Sequence, residues 1–94
     1  MKNNIKYSII IPHYNSSELL EKLLKTIPKT KDIQIIIVDD NSTQGLRELE
    51  KVLEKNKHCE FYKNNTDCQS AGACRNVGLK HAKGKWLLFA DADD

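Results

Sequence analysis

Three carboxylates follow a short apolar run at the end of the sequence. The run extends from Trp86 to Ala90, and Asp91, Asp93 and Asp94 come after it. Like charges this close repel one another unless a positive charge lies between them. Mg²⁺ or Mn²⁺ would supply that charge, because both ions prefer carboxylate oxygens and keep positions open for phosphate. An acidic, solvated loop without a ligand is the alternative, and these residues alone do not decide between the two.

A second acidic pair, Asp39 and Asp40, follows the apolar stretch from Ile33 to Val38. Ligands of open parallel sheets bind outside the carboxyl ends of the strands. Acidic residues after two strands therefore favour a binding site over a role in solubility. The alternative is that both aspartates cap the next helix, where they would favour its positive end.

The segment from Ser70 to Arg75 offers a complement to these acids. Its residues are small and open a predicted helix, so free backbone N–H groups and a positive dipole end are available for phosphate. Arg75 can bind an anion or a base edge with two hydrogen bonds, although a surface ion pair is an equal alternative. Carboxylates for a metal, together with a helix start and an arginine, predict a metal–diphosphate site.

The remaining polar residues at these strand ends have simpler interpretations. Tyr14 packs in the protein or stacks on a base, and His13 and His81 are expected to be structural. Gly72 and Gly78 allow a helix to pack closely on the sheet.

Hydrophobic patterning predicts the elements that position these residues. Four apolar, strand-like runs alternate with three helical patterns, and the strands lack polar alternation, which indicates strands buried on both faces. The prediction is an α/β, Rossmann-like, open and mainly parallel sheet with helices on both faces, in the order β-α-β-α-β-α-β. The predicted strands are 7–11, 33–38, 60–63 and 86–90, and the third helix is 71–82.

Local signals set the expected boundaries of these elements. Pro12 is expected to end the first strand, Asn15 to cap the first helix with Glu18, and Pro28 to end that helix. Gly84 is expected to cap the third helix. Two helices show apolar positions that we expect to face inward: Leu19, Leu20, Leu23, Leu24 and Ile27 in the first, and Leu46, Leu49, Val52 and Leu53 in the second.

Composition limits the classes of function. The 94 residues carry a net charge of +2, which is too small to indicate nucleic acid or an anionic membrane as a partner. No apolar run approaches the roughly 20 residues of a membrane span, and no signal peptide is evident. We therefore expect a cytoplasmic protein, with any contact to the inner face of the membrane made by other parts. The three cysteines are an odd number without C-x-x-C spacing, which favours reduced thiols.

Four segments resemble the motifs of family 2 glycosyltransferases of the GT-A fold, in that family's order and spacing. They are SIIIPHYN at 8–15, IVDDNST at 37–43, GACRNVGL at 72–79 and AKGKWLLFADADD at 82–94. This combination is far more specific than a D-x-D sequence alone. It extends over nearly the whole chain from Tyr7.

The resemblance implies a donor site for a nucleotide sugar, with a UDP-sugar favoured. Tyr14 would pack near the base, Asp40 would accept a hydrogen bond from a uracil-like imide, and Arg75 would contact base or diphosphate. Asp91 would face the ribose or the metal, and Asp93 would bind Mn²⁺ or Mg²⁺ directly, with Asp94 as a companion of undefined role. The donor-binding residues implied are Pro12, Tyr14, Asn15, Asp39, Asp40, Arg75, Asp91 and Ala92, and the metal ligands are Asp91 and Asp93.

The resemblance also implies a metal-dependent, inverting transfer to a hydroxyl of a saccharide or lipid-linked acceptor, in the synthesis of cell-surface polysaccharide or glycan. Family members continue into an acceptor-binding half that carries the catalytic base. Residues 1–94 are therefore expected to be the donor-binding half, with the acceptor half absent and no transfer activity alone. Ser70 and Cys74 replace the family's usual glycine and alanine. Because both residues are small, we expect little effect, and any change would fall on the loop before the third helix.

Three other classes of protein share some of these features. A receiver-type signalling domain gathers aspartates and Mg²⁺ at strand ends, but its acidic pair follows the first strand, where this sequence has Pro-His-Tyr-Asn. A phosphoryl-transfer hydrolase would place its D-x-D early, with more chain after it. A non-catalytic nucleotide-binding module stays open as an alternative.

Overall fold

The computed structural model describes residues 4–66 and 68–91, which form a four-stranded parallel sheet with helices on both faces. The elements in chain order are β1 (Tyr7–His13), α1 (Ser17–Thr26), β2 (Ile33–Asp39), α2 (Leu46–Lys55), β3 (Glu60–Lys63), α3 (Ala71–His81) and β4 (Trp86–Phe89). The predicted fold class is confirmed. Ala92, Asp93 and Asp94 lie outside the described residues.

The strands lie in the order β3-β2-β1-β4, with β1 and β2 in the centre. The chain moves from β1 through β2 to β3, and then α3 carries it back across the sheet to the far side of β1. The strand order therefore reverses between β1 and β4, which is the switch point where open α/β sheets bind ligands. Because all four strands are parallel, their carboxyl ends share one edge.

Apolar layers on the two faces of the sheet explain why β1 and β2 are nearly continuous in isoleucine. Alternate residues of a strand point to opposite faces. The layer under α1 and α2 contains Ile11, Leu20, Leu24, Ile35, Ile37, Leu49 and Val52. The layer under α3 contains Ile10, Ile36, Val38 and Cys74. The glycine prediction holds for Gly78, where a Cβ would lie 2.5 Å from Ile10 Cγ2, but not for Gly72, where a Cβ would make only an ordinary contact of 3.8 Å with Ser70 Oγ.

Pro12 does not end the first strand, which continues to His13 with Pro12 paired to Val38. The backbone N–H and C=O groups of successive β1 residues point alternately toward β4 and toward β2. The Ile10 carbonyl accepts from Ala90 N on the β4 side, and the His13 carbonyl accepts from Asp40 N on the β2 side. Pro12 has the same parity as Ile10, so its nitrogen faces β4. The β4 ladder ends at Phe89, and the missing N–H therefore costs no ladder bond.

The predicted caps of α1 and α3 are wrong. Ser16, not Asn15, is the N-cap of α1 and makes no side-chain cap bond, and Ala82, not Gly84, is the C-cap of α3. Gly84 is instead needed for close approach to β1, because a Cβ there would lie 2.6 Å from Ser8 N. The end of α1 before Pro28 is confirmed.

The predicted burial of β4 is also wrong. Its four residues, Trp86, Leu87, Leu88 and Phe89, are 45–56% exposed, because β4 is an edge strand whose faces are only partly covered. Leu19 and Leu46 are exposed as well, and the buried positions of the first two helices are Leu20, Leu24, Leu49 and Val52.

Two further findings concern membranes and thiols. None of the helices in the described part of the chain has the length and apolarity needed to cross a bilayer.

Cys59, Cys68 and Cys74 form no disulfide with one another. Burial raises the pKa of the Cys59 thiol to about 11, although Lys29 acts in the opposite direction.

Candidate functional site

A network at the ends of β1 and β2 centres on Asp39, which is 3% exposed. His13 Nδ1 lies 2.8 Å from Asp39 Oδ1, and the Ser42 hydroxyl donates to the same oxygen at 2.5 Å. The Ser42 N–H donates to Asp39 Oδ2 at 2.9 Å, and the Ser16 N–H donates to His13 Nε2 at 3.1 Å. Since Nε2 accepts a backbone N–H, the ring proton is on Nδ1 and faces the carboxylate. Both ring nitrogens of His13 and both Asp39 oxygens are therefore bonded within the protein.

Hydrogen bonds of Asn15 connect the turn after β1 to the loop after β2. Its backbone adopts the left-handed conformation, with φ of 48°. Its side-chain oxygen accepts from the N–H groups of Thr43 and Gln44, and its own N–H donates to Ser42 Oγ. The side chain implied for donor binding therefore organises the site's loops.

Asp40 has a different environment from Asp39, although the two are adjacent. Asp40 is half-buried, and its Oδ1 accepts a hydrogen bond of 2.9 Å from Asn64 Nδ2. Among the described residues no donor contacts its Oδ2. This carboxylate therefore has accepting capacity left for a ligand.

A small cavity of about 20 Å³ lies between the turn after β1 and the start of α3, and Asp40 lines it. The other lining residues are Pro12, His13, Tyr14, Ala71 and Cys74. Tyr14 is 46% exposed, so its ring is not part of the core. A cavity of this size holds about one water, so a nucleobase would lie over it rather than inside it.

Arg75 and Asp91 meet on the other side of this edge. Arg75 Nη2 lies 3.3 Å from Asp91 Oδ1, and both side chains are 37% exposed. The guanidinium also lies over Phe89, 5.6 Å from the ring centroid. The Nε atom of Arg75 is shielded from solvent, yet it has no hydrogen-bond partner in the part of the chain that the structure covers.

The first turn of α3 lies against the small cavity. Ser70 is its N-cap, and its hydroxyl accepts from Ala73 N at 3.0 Å. Serine at the position where glycine is frequent therefore caps the helix. The N–H groups of Ala71 and Gly72 precede the first intrahelical bond and are available to an anion.

A cavity of about 480 Å³ lies between α2 and β3, with Asp39 and Ser42 in its lining, and is larger than the one beside Asp40. Its floor is apolar, and Glu50 and Lys63 are among its charged residues. It is separated from Tyr14, Arg75 and Asp91, none of which lines it. Size alone therefore does not identify the site.

The structure places Pro12, Tyr14, Asp40, Arg75 and Asp91 at the carboxyl edge beside the switch point. The small cavity brings Pro12, Tyr14 and Asp40 together, whereas Arg75 and Asp91 pair with each other outside its lining. The predicted Asp93 and Ala92 lie outside the described residues. Within residues 4–66 and 68–91 no group of three or more His, Cys, Asp or Glu side chains is arranged to hold a metal ion.

The family model for glycosyl transferase family 2 matches residues 8–94. The chain belongs to glycosyltransferase family 2. The match includes every residue of the site just described, from Pro12 to Asp91. Homologues of this chain are named glycosyltransferases.

Curated relatives of this family 2 chain are named as transferases of N-acetylglucosamine and of glucose. The poly(ribitol-phosphate) β-N-acetylglucosaminyltransferase TarS of Staphylococcus aureus is 38% identical over 96 residues, which cover 96% of this chain and 16% of TarS. A GalNAc(5)-diNAcBac-PP-undecaprenol β-1,3-glucosyltransferase of Campylobacter jejuni is 35% identical over 95% of this chain and 30% of its own length. The chain thus spans less than a third of these relatives.

Solved glycosyltransferase structures share the fold. The chain matches a Staphylococcus aureus TarS fragment in complex with UDP-GlcNAc with a TM-score of 0.73 and 34% identity, over 95% of this chain and 27% of that one. It matches the mannosyltransferase PcManGT of Pyrobaculum calidifontis, in complex with GDP-Man and Mn²⁺, with a TM-score of 0.76 and 27% identity. That match covers 94% of this chain and 27% of PcManGT.

Sequence reasoning missed two residues of this candidate site, Ser42 and Asn64. Ser42 follows the acidic pair at a spacing typical of side-chain bonds to nearby backbone, which is a usable signal. Asn64 contacts Asp40 across 24 positions of sequence, and no local pattern indicates such a pair.

Proposed function

We propose that residues 1–94 bind the donor of a glycosyltransferase that takes its sugar from a uridine diphosphate sugar. The observation that carries the proposal is the position of Tyr14, Asp40 and Asp91 after β1, β2 and β4 at one sheet edge, with Arg75 beside Asp91. Relatives solved with UDP-GlcNAc and with UDP support a uridine nucleotide. Asn15 lies in the turn that carries Tyr14, Pro12 lies in β1 just before that turn, and Asp39 holds the turn through His13.

Asp40 is the residue that we assign to base recognition. An ionised carboxylate only accepts hydrogen bonds, so it suits the N3–H of uracil and repels the unprotonated N3 of cytosine. Tyr14 is exposed beside Asp40 and offers an aromatic face for the base. Stacking on such a ring contributes about 1–3 kcal/mol per base.

The diphosphate is assigned to the first turn of α3 and to Arg75. The free N–H groups of that turn and the helix dipole favour negative charge. Arg75 carries a shielded Nε donor without a partner among the described residues, and its contact to Asp91 is long at 3.3 Å. A phosphate oxygen would satisfy the guanidinium better than the present contact does.

Asp91 is the described carboxylate that we assign to a divalent cation. Mg²⁺ is commonly held by one or two carboxylates plus substrate phosphates, and the partly exposed Asp91 supplies one such carboxylate. Asp91 and Asp93 would hold the ion, with Ala92 between them in the donor-binding segment. When bound, Mg²⁺ or Mn²⁺ offsets the charge that grows on the nucleoside diphosphate as it leaves.

The whole enzyme is proposed to transfer the sugar with inversion to a hydroxyl of a saccharide or lipid-linked acceptor in glycan or surface-polymer synthesis. The base that deprotonates this hydroxyl is assigned to chain beyond the 94 residues. The three cysteines without a mutual disulfide suit a cytoplasmic enzyme. The 94 residues alone are expected to bind the nucleotide and to transfer no sugar.

A nucleotide titration tests the proposal. UDP, GDP and CDP are added to the labelled chain with Mg²⁺, and Mn²⁺ is then used to broaden signals near the metal. We expect UDP to shift the amides of Tyr14, Asp40 and Arg75, and Mn²⁺ to broaden Asp91. Asp40→Asn should weaken UDP binding at least about tenfold, because a hydrogen bond to a charged group contributes roughly 1.5–3 kcal/mol.

Glu50→Gln is the matched control, because it removes a carboxylate from the larger cavity between α2 and β3 and should leave UDP binding unchanged. Shifts confined to that cavity would contradict the assigned site. Phosphorylation of an aspartate by a small phosphodonor would favour a receiver-type or phosphatase-type protein instead.

A further inference from the structure

Asn64 is fully buried directly after β3, and its side chain makes four hydrogen bonds. Its Nδ2 donates to Asp40 Oδ1 at 2.9 Å and to the Cys68 carbonyl at 2.9 Å. Its Oδ1 accepts from the Thr66 N–H at 3.1 Å and from the Thr66 hydroxyl at 2.6 Å. Every donor hydrogen and both acceptor positions of this amide are therefore used.

The partners of Asn64 fix the orientation of its amide. A backbone N–H can only donate, so the atom that faces Thr66 N is the oxygen. A backbone carbonyl can only accept, so the atom that faces Cys68 is the nitrogen. The group that faces Asp40 is thus an N–H donor, and the pair is a charge-assisted hydrogen bond rather than a contact between two acceptors.

Backbone bonds hold Asn64 and Asp40 at a fixed separation. The Asn64 N–H donates to the Asp39 carbonyl at 2.8 Å, and the Asp40 N–H donates to the His13 carbonyl at 2.8 Å. Both residues are therefore anchored to the central strands of the sheet. With its Oδ1 held by Asn64, the Asp40 carboxylate cannot rotate without breaking a partly buried hydrogen bond.

We propose that Asn64 is a positioning residue that orients the Asp40 carboxylate and thereby sets the preference for a uridine base. The inference rests on the proposed function and deepens it. Of the partners of the Asn64 side chain, Asp40 is the one outside residues 64–68; the others organise the local loop. The bond to Asp40 commits Oδ1 and leaves Oδ2 as the acceptor for the base.

The test measures the ratio of the CDP and UDP dissociation constants in the 94-residue chain with Mg²⁺. Asn64→Asp is nearly isosteric, but it places an oxygen where the N–H faces Asp40, and the repulsion between the two carboxylates turns Asp40 away. We expect the preference for UDP over CDP to fall about tenfold, because the lost interaction is a hydrogen bond to a charged group. Asn64→Ser, whose hydroxyl is too short to reach Asp40, should give the same loss without an added charge.

Thr66→Val is the matched control. It removes the hydroxyl that donates to Asn64 Oδ1 and to the Cys68 carbonyl, but it leaves the Asn64 donor to Asp40 in place. A merely structural role for Asn64 would make all three variants weaken UDP and CDP alike. The positioning role predicts a loss of preference in both Asn64 variants and an unchanged preference in Thr66→Val.

The outcomes separate this inference from the proposed function. If the unmodified chain binds none of the nucleotides, the proposed function fails first. If it prefers UDP and both Asn64 variants keep that preference, or Thr66→Val loses it equally, the positioning role alone is wrong. Because the serine variant adds no charge, failure of Asn64→Asp to fold still leaves a measurement that decides.

Discussion

The two sides of the carboxyl edge differ in how firmly the chain holds its functional groups. On the side of β2 and β3, Asp39 and Asn64 are buried, and each makes several side-chain bonds of 2.5–3.1 Å. On the side of α3 and β4, Arg75 and Asp91 are 37% exposed and share one contact of 3.3 Å. Arg75 also keeps a shielded donor without a partner in the described chain.

This difference matches the two parts of the proposed ligand. A base is recognised through a few hydrogen bonds of fixed direction, so its acceptor gains from being oriented in advance. A diphosphate with a divalent cation brings several charges of its own, so its partners need not be fixed within the chain. The side of β2 and β3, which we assign to the base, is therefore held by hydrogen bonds within the chain. The side of α3 and β4, which we assign to the diphosphate, keeps donors and acceptors for the ligand.

Removal of the Asp39 carboxylate has the largest expected effect. Asp39→Ala leaves the His13 ring N–H and the Ser42 N–H without an acceptor at a buried position. We expect the free energy of unfolding to fall by about 3 kcal/mol, measured by urea denaturation.

Asp91→Ala is the control from the other side of the edge. It removes a carboxylate in a partly exposed ion pair, and pairs of that kind contribute roughly 0–1 kcal/mol. Equal losses in the two variants would show that the two sides do not differ in the way described.

The sequence predicts the central strands well and the outer one poorly, for a physical reason. Continuous apolar runs predict β1 and β2 correctly, because these two strands lie in the centre of the sheet and are covered on both faces. The run in β4 has the same pattern but is half exposed, because burial depends on what covers the strand rather than on its own residues. The prediction that Pro12 ends β1 was wrong for a similar reason. The missing N–H of a proline costs a hydrogen bond only where the adjacent strand is still paired, and the pairing with β4 ends before Pro12.

The sequence also predicts one part of the candidate site and not another. The sequence predicts the edge that carries Tyr14, Asp40 and Asp91, because these residues follow strands of a parallel sheet. It also predicts Arg75 near that edge, because the segment that ends at Arg75 opens the third helix. The sequence does not predict the hydrogen bonds on the side of β2 and β3, because His13 and Asp39 are 26 positions apart and Asp40 and Asn64 are 24 apart. Only the folded register brings these pairs together.

The next effect in size concerns binding rather than stability. Arg75→Ala removes the guanidinium with its partnerless Nε, and we expect the dissociation constant for UDP to rise about tenfold, the loss of one charge-assisted contact. The free energy of unfolding should change by less than about 1 kcal/mol, because the pair with Asp91 is partly exposed. Calorimetry with UDP and Mg²⁺ measures the first quantity, and denaturation measures the second.

Lys80→Ala removes the same charge from the far end of α3 and serves as the control. It should leave UDP binding unchanged. A rise as large as that of Arg75→Ala would mean that net charge, and not the position of the guanidinium, governs the affinity.

The smallest expected effect concerns the surface of β4. Leu87→Thr keeps a residue that suits a strand and alters a side chain that is 45% exposed. We expect the free energy of unfolding to change by no more than about 0.5 kcal/mol. The same change at Ile36, which is fully buried under α3, should cost about 3 kcal/mol, because it removes apolar volume and buries a hydroxyl.

A large loss for Leu87→Thr would mean that β4 is covered in solution. Since the described chain leaves both faces of β4 partly open, such a loss should then depend on protein concentration, as expected if a second copy covers the strand. Repeating the denaturation at two concentrations separates the cases: a concentration-independent change within 0.5 kcal/mol keeps β4 as an open edge, and a concentration-dependent loss contradicts it.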